Sequence, residues 1–84
     1  MHYMIKISNI NYKIELPESV YANVSEEDRQ WATETIRKSL PTELIQEIKC
    51  TDIKNLEKCI KRVLKRIAGP EVESMEYEIL SVYA

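Results

Sequence analysis

The stretch from Thr51 to Pro70, TDIKNLEKCIKRVLKRIAGP, constrains the fold more than any other part of the chain. Apolar residues recur there at steps of three and four, which is the spacing of one face of an α-helix, for about four turns. This face comprises Ile53, Leu56, Ile60, Val63 and Ile67, with Cys59 and Leu64 widening it on either side. We therefore predict an amphipathic helix over residues 52–68 whose apolar stripe packs against the rest of the protein.

Both ends of this helix carry recognisable signals. Thr51 or Asp52 can accept a hydrogen bond from a free backbone N–H group of the first turn, as an N-cap does. Gly69 is the only glycine of the chain and falls where a left-handed residue commonly ends a helix, and Pro70 prevents continuation.

The polar face of the same helix is strongly basic. Its cations are Lys54, Lys58, Lys61, Arg62, Lys65 and Arg66. Residues 52–68 carry a net charge of +4 whereas the whole chain carries −2, so the remainder carries −6. The face is interpreted either as a docking surface for phosphates or an acidic protein, or as a solvated helix face.

Length and composition predict one globular domain spanning residues 1–84, because hydrophobic residues make up 44% of the chain and charged residues 31%. No apolar run is long enough to cross a membrane. The N-terminal sequence MHYMIKISN lacks the apolar core of a secretion signal. The expected location is therefore cytoplasmic, where Cys50 and Cys59 would be free thiols.

The N-terminal segment alternates in two phases. Tyr3, Ile5 and Ile7 alternate with polar residues, and a second alternating set begins at Ile10 and includes Tyr12, Ile14 and Leu16. A two-residue turn at Ser8–Asn9 would place both sets on one face of a sheet. We therefore predict a β-hairpin over residues 2–16.

The middle of the chain is predicted to be helical. Residues 17–24 are interpreted as a connection in which Tyr21 and Val24 either contact the core or are exposed. Ser25 and the acids that follow it predict a helix from about 26 to 39. Its expected core side comprises Trp31, Ala32, Thr35, Ile36 and Leu40. Pro41 then favours the start of another short helix over residues 41–48.

Residues 71–83 are predicted to form a strand with Met75, Tyr77 and Ile79 on its inner face. Glu76 and Glu78 then lie on the outer face beside Lys6 or Lys13, together with Leu80 and Val82. The fold class is α+β, with a small antiparallel three-stranded sheet, the order β-β-α-α-α-β, and helices packed on one face. The first strand is a candidate for the centre, but the strand order stays open.

Residues that could carry catalysis or hold a metal or cofactor are not evident. The single histidine, His2, is expected at a mobile terminus, and Cys50 has no base placed to activate it. No nucleotide-binding or zinc motif occurs in the sequence. We therefore predict no catalytic, metal or cofactor site, although an enzyme or ligand carrier with a pocket between helices and sheet is a third interpretation.

These observations favour a small non-enzymatic module that binds another protein, such as a regulator, inhibitor or subunit. It would use the basic helix face, a free edge of the sheet, or both, and a free edge would also allow a homodimer. The alternative is an accessory nucleic-acid-binding protein that contacts phosphates through the same helix. The net charge of −2 and the isoelectric point of about 5.4 count against this alternative.

Overall fold

The computed structural model describes the backbone of residues 1–84 and the side chains of all except Val20 and Tyr21. The elements are β1 (His2–Lys13), α1 (Glu18–Tyr21), α2 (Glu26–Ser39), β2 (Leu44–Lys49), a 3₁₀ turn (Ile53–Asn55), α3 (Leu56–Ala68) and β3 (Glu71–Tyr83). The strands form one antiparallel sheet in the order β2-β1-β3. The predicted α+β class and three-stranded antiparallel sheet are therefore confirmed, and the first strand is central.

The predicted hairpin over residues 2–16 is wrong, because residues 2–13 form a single strand. Its change of phase is a β-bulge: Asn9 has a φ of 51°, and the register against β3 shifts between Ser8 and Asn11. One extra residue in a strand reverses the alternation of side chains, as a two-residue turn does. The apolar pattern is therefore the same for the bulge and for the hairpin.

The predicted helix over residues 41–48 is also wrong, because Leu44–Lys49 forms β2 and pairs with the first half of β1. Ile48 is buried opposite Tyr3, whereas Ile45 points to the outer face and is exposed. The three apolar residues of this short run fit both the period of a helix and the period of a strand. Pairing with β1 decides in favour of the strand.

The core lies between α3 and one face of the sheet. Its buried members are Tyr3, Ile5, Ile7, Ile10, Tyr12, Ile48, Cys50, Leu56, Ile60, Leu64 and Val72. The predicted stripe of α3 is confirmed at Leu56 and Ile60 but not at its ends, where Ile53 is 60% and Ile67 53% exposed. Ile53 lies in the 3₁₀ turn and Ile67 in the last turn, so both lie at the ends of the packed segment.

The predicted C-terminal end of the basic helix is confirmed, but its predicted start is only partly right: Asp52 caps the 3₁₀ turn, and α3 begins at Leu56 after Asn55, which makes no capping side-chain hydrogen bond. The Asp52 carboxylate accepts a hydrogen bond from the Lys54 backbone N–H group at 2.9 Å. Gly69 has a φ of 98° and donates its N–H to the Lys65 carbonyl oxygen at 2.8 Å. Since an L-residue with a side chain rarely adopts this φ, glycine suits the position.

Helix α2 has the predicted bounds and N-cap, since Ser25 Oγ accepts a hydrogen bond from the Asp28 N–H at 3.2 Å. Its predicted core side is wrong: none of its residues is buried, and Trp31 is 69% exposed. Leu40, just after α2, packs against the core. Val24 is half-buried, and the prediction for Tyr21 lies outside the described side chains.

Strand β3 was predicted correctly in position and in most of its alternation. Glu78 lies beside Lys6 in the register, as expected. Val82 is an exception, because a register shift near Leu80 aligns it with Tyr3 on the inner face. Tyr77, Ile79 and Val82 are nevertheless exposed, because α3 does not cover this part of the sheet.

Candidate functional site

The basic face of α3 and the 3₁₀ turn before it comprises Lys54 in the turn and Lys58, Lys61, Arg62, Lys65 and Arg66 in the helix. The helix buries Leu56, Ile60 and Leu64, which recur every four residues, against the sheet. A cation placed between these positions is therefore directed away from the sheet. All six are exposed except Lys61, which is half-buried.

The cations of the basic face are largely free of intramolecular ion pairs. Lys61 Nζ lies 3.6 Å from Glu57 Oε1, one turn earlier on the helix. Within the part of the chain whose side chains are described, the other five cations form no salt bridge. The protein's own described acidic side chains therefore leave most of this charge uncompensated.

Lys49 extends the basic face onto the sheet and was missed by the sequence analysis. It is the last residue of β2 and is exposed. It lines shallow grooves between β2 and α3 together with Lys58, Arg62 and Arg66. The predicted helix over residues 41–48 did not place Lys49 beside α3, whereas the strand that forms there does.

Two exposed apolar side chains lie at the ends of the stretch that carries the basic face, on the side of its apolar stripe. Ile53 directly precedes Lys54, and Ile67 directly follows Arg66, so one exposed isoleucine lies at each end of the helical stretch. Exposed aliphatic groups beside arginine are typical of protein interfaces, whose centres combine apolar and guanidinium contacts.

The free edge of β3 is the second candidate surface. It is an edge because β3 has β1 as its neighbour on one side only. Its acidic residues are Glu71, Glu73, Glu76 and Glu78. Glu76 accepts a hydrogen bond from Asn9 Nδ2 at 2.8 Å, whereas Lys6, the neighbour of Glu78, is ion-paired with Glu43 at 3.3 Å. The edge is therefore acidic where α3 is basic.

His2 belongs to a cluster that links the three strands, contrary to the expectation of a mobile terminus. Its Nδ1 lies 2.9 Å from Glu47 Oε1, and its ring stacks on Tyr83 with centroids 5.5 Å apart. The pKa of the Tyr83 hydroxyl is raised. The main cause is a hydrogen bond to Glu47, and burial and the negative charge of Glu47 raise the pKa further. The contacts fasten the ends of β1, β2 and β3 to one another.

The described side chains contain no group of three or more histidine, cysteine, aspartate or glutamate residues that could hold a metal ion. None of the described helices is both long enough and apolar enough to cross a membrane. Comparison with protein-family models, curated proteins and solved structures finds no significant match. The fold and its surfaces thus define a small α+β domain with a basic helical face and an acidic sheet edge.

Proposed function

We propose that this protein is a non-enzymatic module that binds another protein through the basic face of α3, as a regulator, inhibitor or subunit. One observation carries the proposal: five exposed cations without an ion pair in the described structure share a helical stretch with the exposed Ile53 and Ile67. The expected partner surface is acidic and contains apolar groups that can cover these isoleucines.

The apolar residues favour a protein over a nucleic acid as the partner. A phosphate backbone attracts cations but offers no apolar surface against which an exposed isoleucine could be buried. The acidic edge of β3 and the net charge of −2 also oppose a close approach to a polyanion. Charge on the basic face would instead steer an acidic partner and fix its orientation. We place this interaction in the cytoplasm, as the sequence predicts.

The test reverses charge on the basic face without disturbing the core. Lys58 and Lys65 are exposed, lie two turns apart and form no described salt bridge, so Lys58→Glu with Lys65→Glu changes only the surface. The control, Lys13→Glu with Lys38→Glu, reverses two exposed lysines on β1 and α2 and gives the same net charge; it also removes the exposed Lys13–Glu15 ion pair, which should change stability by less than about 1 kcal/mol. Circular dichroism should show all three proteins folded.

Each protein is immobilised and incubated with a nuclease-treated extract from the native source, and retained proteins are quantified by mass spectrometry. We expect a set of acidic proteins to be retained by the wild type and the control but reduced at least about tenfold by the α3 variant. Equal retention by all three would remove the basic face from the interaction. In parallel, binding to labelled random-sequence DNA and RNA is measured, and micromolar binding that collapses with salt would establish the nucleic-acid alternative instead.

A further inference from the structure

Two cysteines that lie apart in the sequence meet in the fold. Cys50 follows β2 directly, Cys59 lies on α3, and their Sγ atoms are 2.9 Å apart and hydrogen-bonded. Both are free thiols. A disulfide has an S–S length of about 2.05 Å, so the two sulfur atoms need to approach by less than about 1 Å to bond.

The backbone on both sides of the pair is held in place. The Cys50 N–H donates to the Met1 carbonyl oxygen at 3.0 Å, and its thiol also lies 3.1 Å from the Asp52 carbonyl oxygen. Cys59 is fixed within α3, beside the buried Ile60. The fold therefore keeps the sulfur atoms together rather than leaving their encounter to chain motion.

We propose that Cys50 and Cys59 form a redox-active dithiol, which small-molecule disulfides such as oxidised glutathione convert to an intramolecular disulfide. Both cysteines line an open groove, and Cys59 is the entry point because it is half-buried whereas Cys50 is almost fully buried. Lys58 and Arg62 line the same groove, and their charge attracts an anionic oxidant such as glutathione disulfide. The proposal does not rest on the proposed partner binding, although the groove shares Lys58 and Arg62 with the basic face.

The reaction is two thiol–disulfide exchanges. The Cys59 thiolate attacks one sulfur of oxidised glutathione, and one glutathione thiolate leaves. Cys50 then loses its proton and attacks the Cys59 sulfur, which expels the second glutathione. The protein loses two hydrogen atoms in all, and the oxidant becomes two molecules of reduced glutathione.

The pH dependence follows from the state of the entry thiol. Its hydrogen bond with Cys50 is the main cause that raises the pKa of Cys59; burial and the neighbouring Cys50 also raise it, and Arg62 lowers it. Only the thiolate is nucleophilic, and the raised pKa delays its formation. The rate of oxidation should therefore still increase at pH values above the pKa of an ordinary thiol.

The experiment compares the native and urea-denatured wild-type chain, both initially reduced, in a series of oxidised-to-reduced glutathione ratios. After quenching in acid and blocking with N-ethylmaleimide, intact mass reports the product. We expect the product to be a monomer that is lighter by two hydrogen atoms. The native chain should form it at a ratio of oxidised to reduced glutathione at least about tenfold lower than the ratio that the denatured chain needs. An equal or higher requirement of the native chain, or products that are only disulfide-linked dimers, would overturn the proposal.

Single substitutions test the order of the two steps. Cys50→Ser should stop at a glutathione adduct on Cys59, because no second thiol is available to expel it. Cys59→Ser should react at least about tenfold more slowly, because the remaining Cys50 is buried. Rapid glutathione attachment to Cys50 in the Cys59→Ser variant would contradict Cys59 as the entry point.

Discussion

Burial of apolar side chains varies sharply from one residue to the next along α3. Ile60 is fully buried, whereas Ile67, two turns later on the same helix, is about half exposed.

A single hydrogen bond joins two segments of the chain at the other end of the core. The buried Tyr12 hydroxyl donates to the Pro41 carbonyl oxygen at 2.6 Å, and burial raises the pKa of this hydroxyl. The hydrogen bond fastens the end of β1 to the connection between α2 and β2.

The unequal burial of the two isoleucines predicts unequal effects of one substitution. Ile60→Ala should lower the free energy of unfolding by about 2–5 kcal/mol, because it leaves a cavity between α3 and the sheet. Ile67→Ala, with the same change in volume and helix propensity, should change it by less than about 0.5 kcal/mol. Urea unfolding followed by circular dichroism measures both, and similar losses would mean that the packing of α3 is described wrongly.

A helix or strand could be predicted from the sequence where the residues of that segment alone decide its structure. Helix α3 has a long apolar period, a capped 3₁₀ turn before it and Gly69 after it, so its sequence identified it. The bulge at Asn9 and strand β2 were missed, because each has a local pattern that fits two structures. Pairing with a distant strand decides both cases, and such pairing leaves no local signal.

The candidate site was predictable to a similar degree. The six cations could be grouped because they lie in one continuous helical stretch, the 3₁₀ turn and α3, whose apolar period indicated which side is polar. Lys49 and the contact between Cys50 and Cys59 could not, because both depend on where β2 lies beside α3. The exposure of Trp31 was also missed, since an amphipathic pattern indicates which side of a helix is apolar but not what covers it.

Helix α2 should therefore behave as an exposed element in solution. Trp31 is the only tryptophan, so intrinsic fluorescence reports on α2 alone. We expect emission close to that of tryptophan in water, strong quenching by acrylamide and little shift on unfolding. Trp31→Ala should change the free energy of unfolding by less than about 1 kcal/mol, against about 3–5 kcal/mol for a buried tryptophan. Blue-shifted emission that moves to longer wavelength on unfolding would instead show that α2 is covered.

The whole molecule is elongated, with extents of 52 × 19 × 16 Å. Its Cα radius of gyration is 15.6 Å, compared with about 12 Å for a compact chain of this length. The long strands explain most of this, since the 13 residues of β3 span about 43 Å. Strand β3 leaves one edge unpaired along this length, and an exposed edge can pair with a second copy unless something opposes it.

The charges of β3 oppose such self-pairing. An antiparallel register centred on Tyr77 places Tyr77 opposite the second copy's Tyr77 and Ile79 opposite its Met75. The same register places Glu76 of each copy opposite the other copy's Glu78, which creates two like-charge pairs. Like charges directly opposite each other destabilise paired strands, so the glutamates protect the edge.

Removing these two charges should therefore promote dimerisation. We expect Glu76→Gln with Glu78→Gln to strengthen the dimerisation constant roughly 2- to 30-fold over the wild type, from about 0.2–1 kcal/mol for each like-charge pair. Glu71→Gln with Glu73→Gln is the matched control, because it changes the net charge equally but removes neither pair. Sedimentation equilibrium over a range of concentrations measures all three proteins. Equal strengthening by both variants would attribute the effect to net charge, whereas a tight wild-type dimer would show that the acidic edge does not prevent pairing.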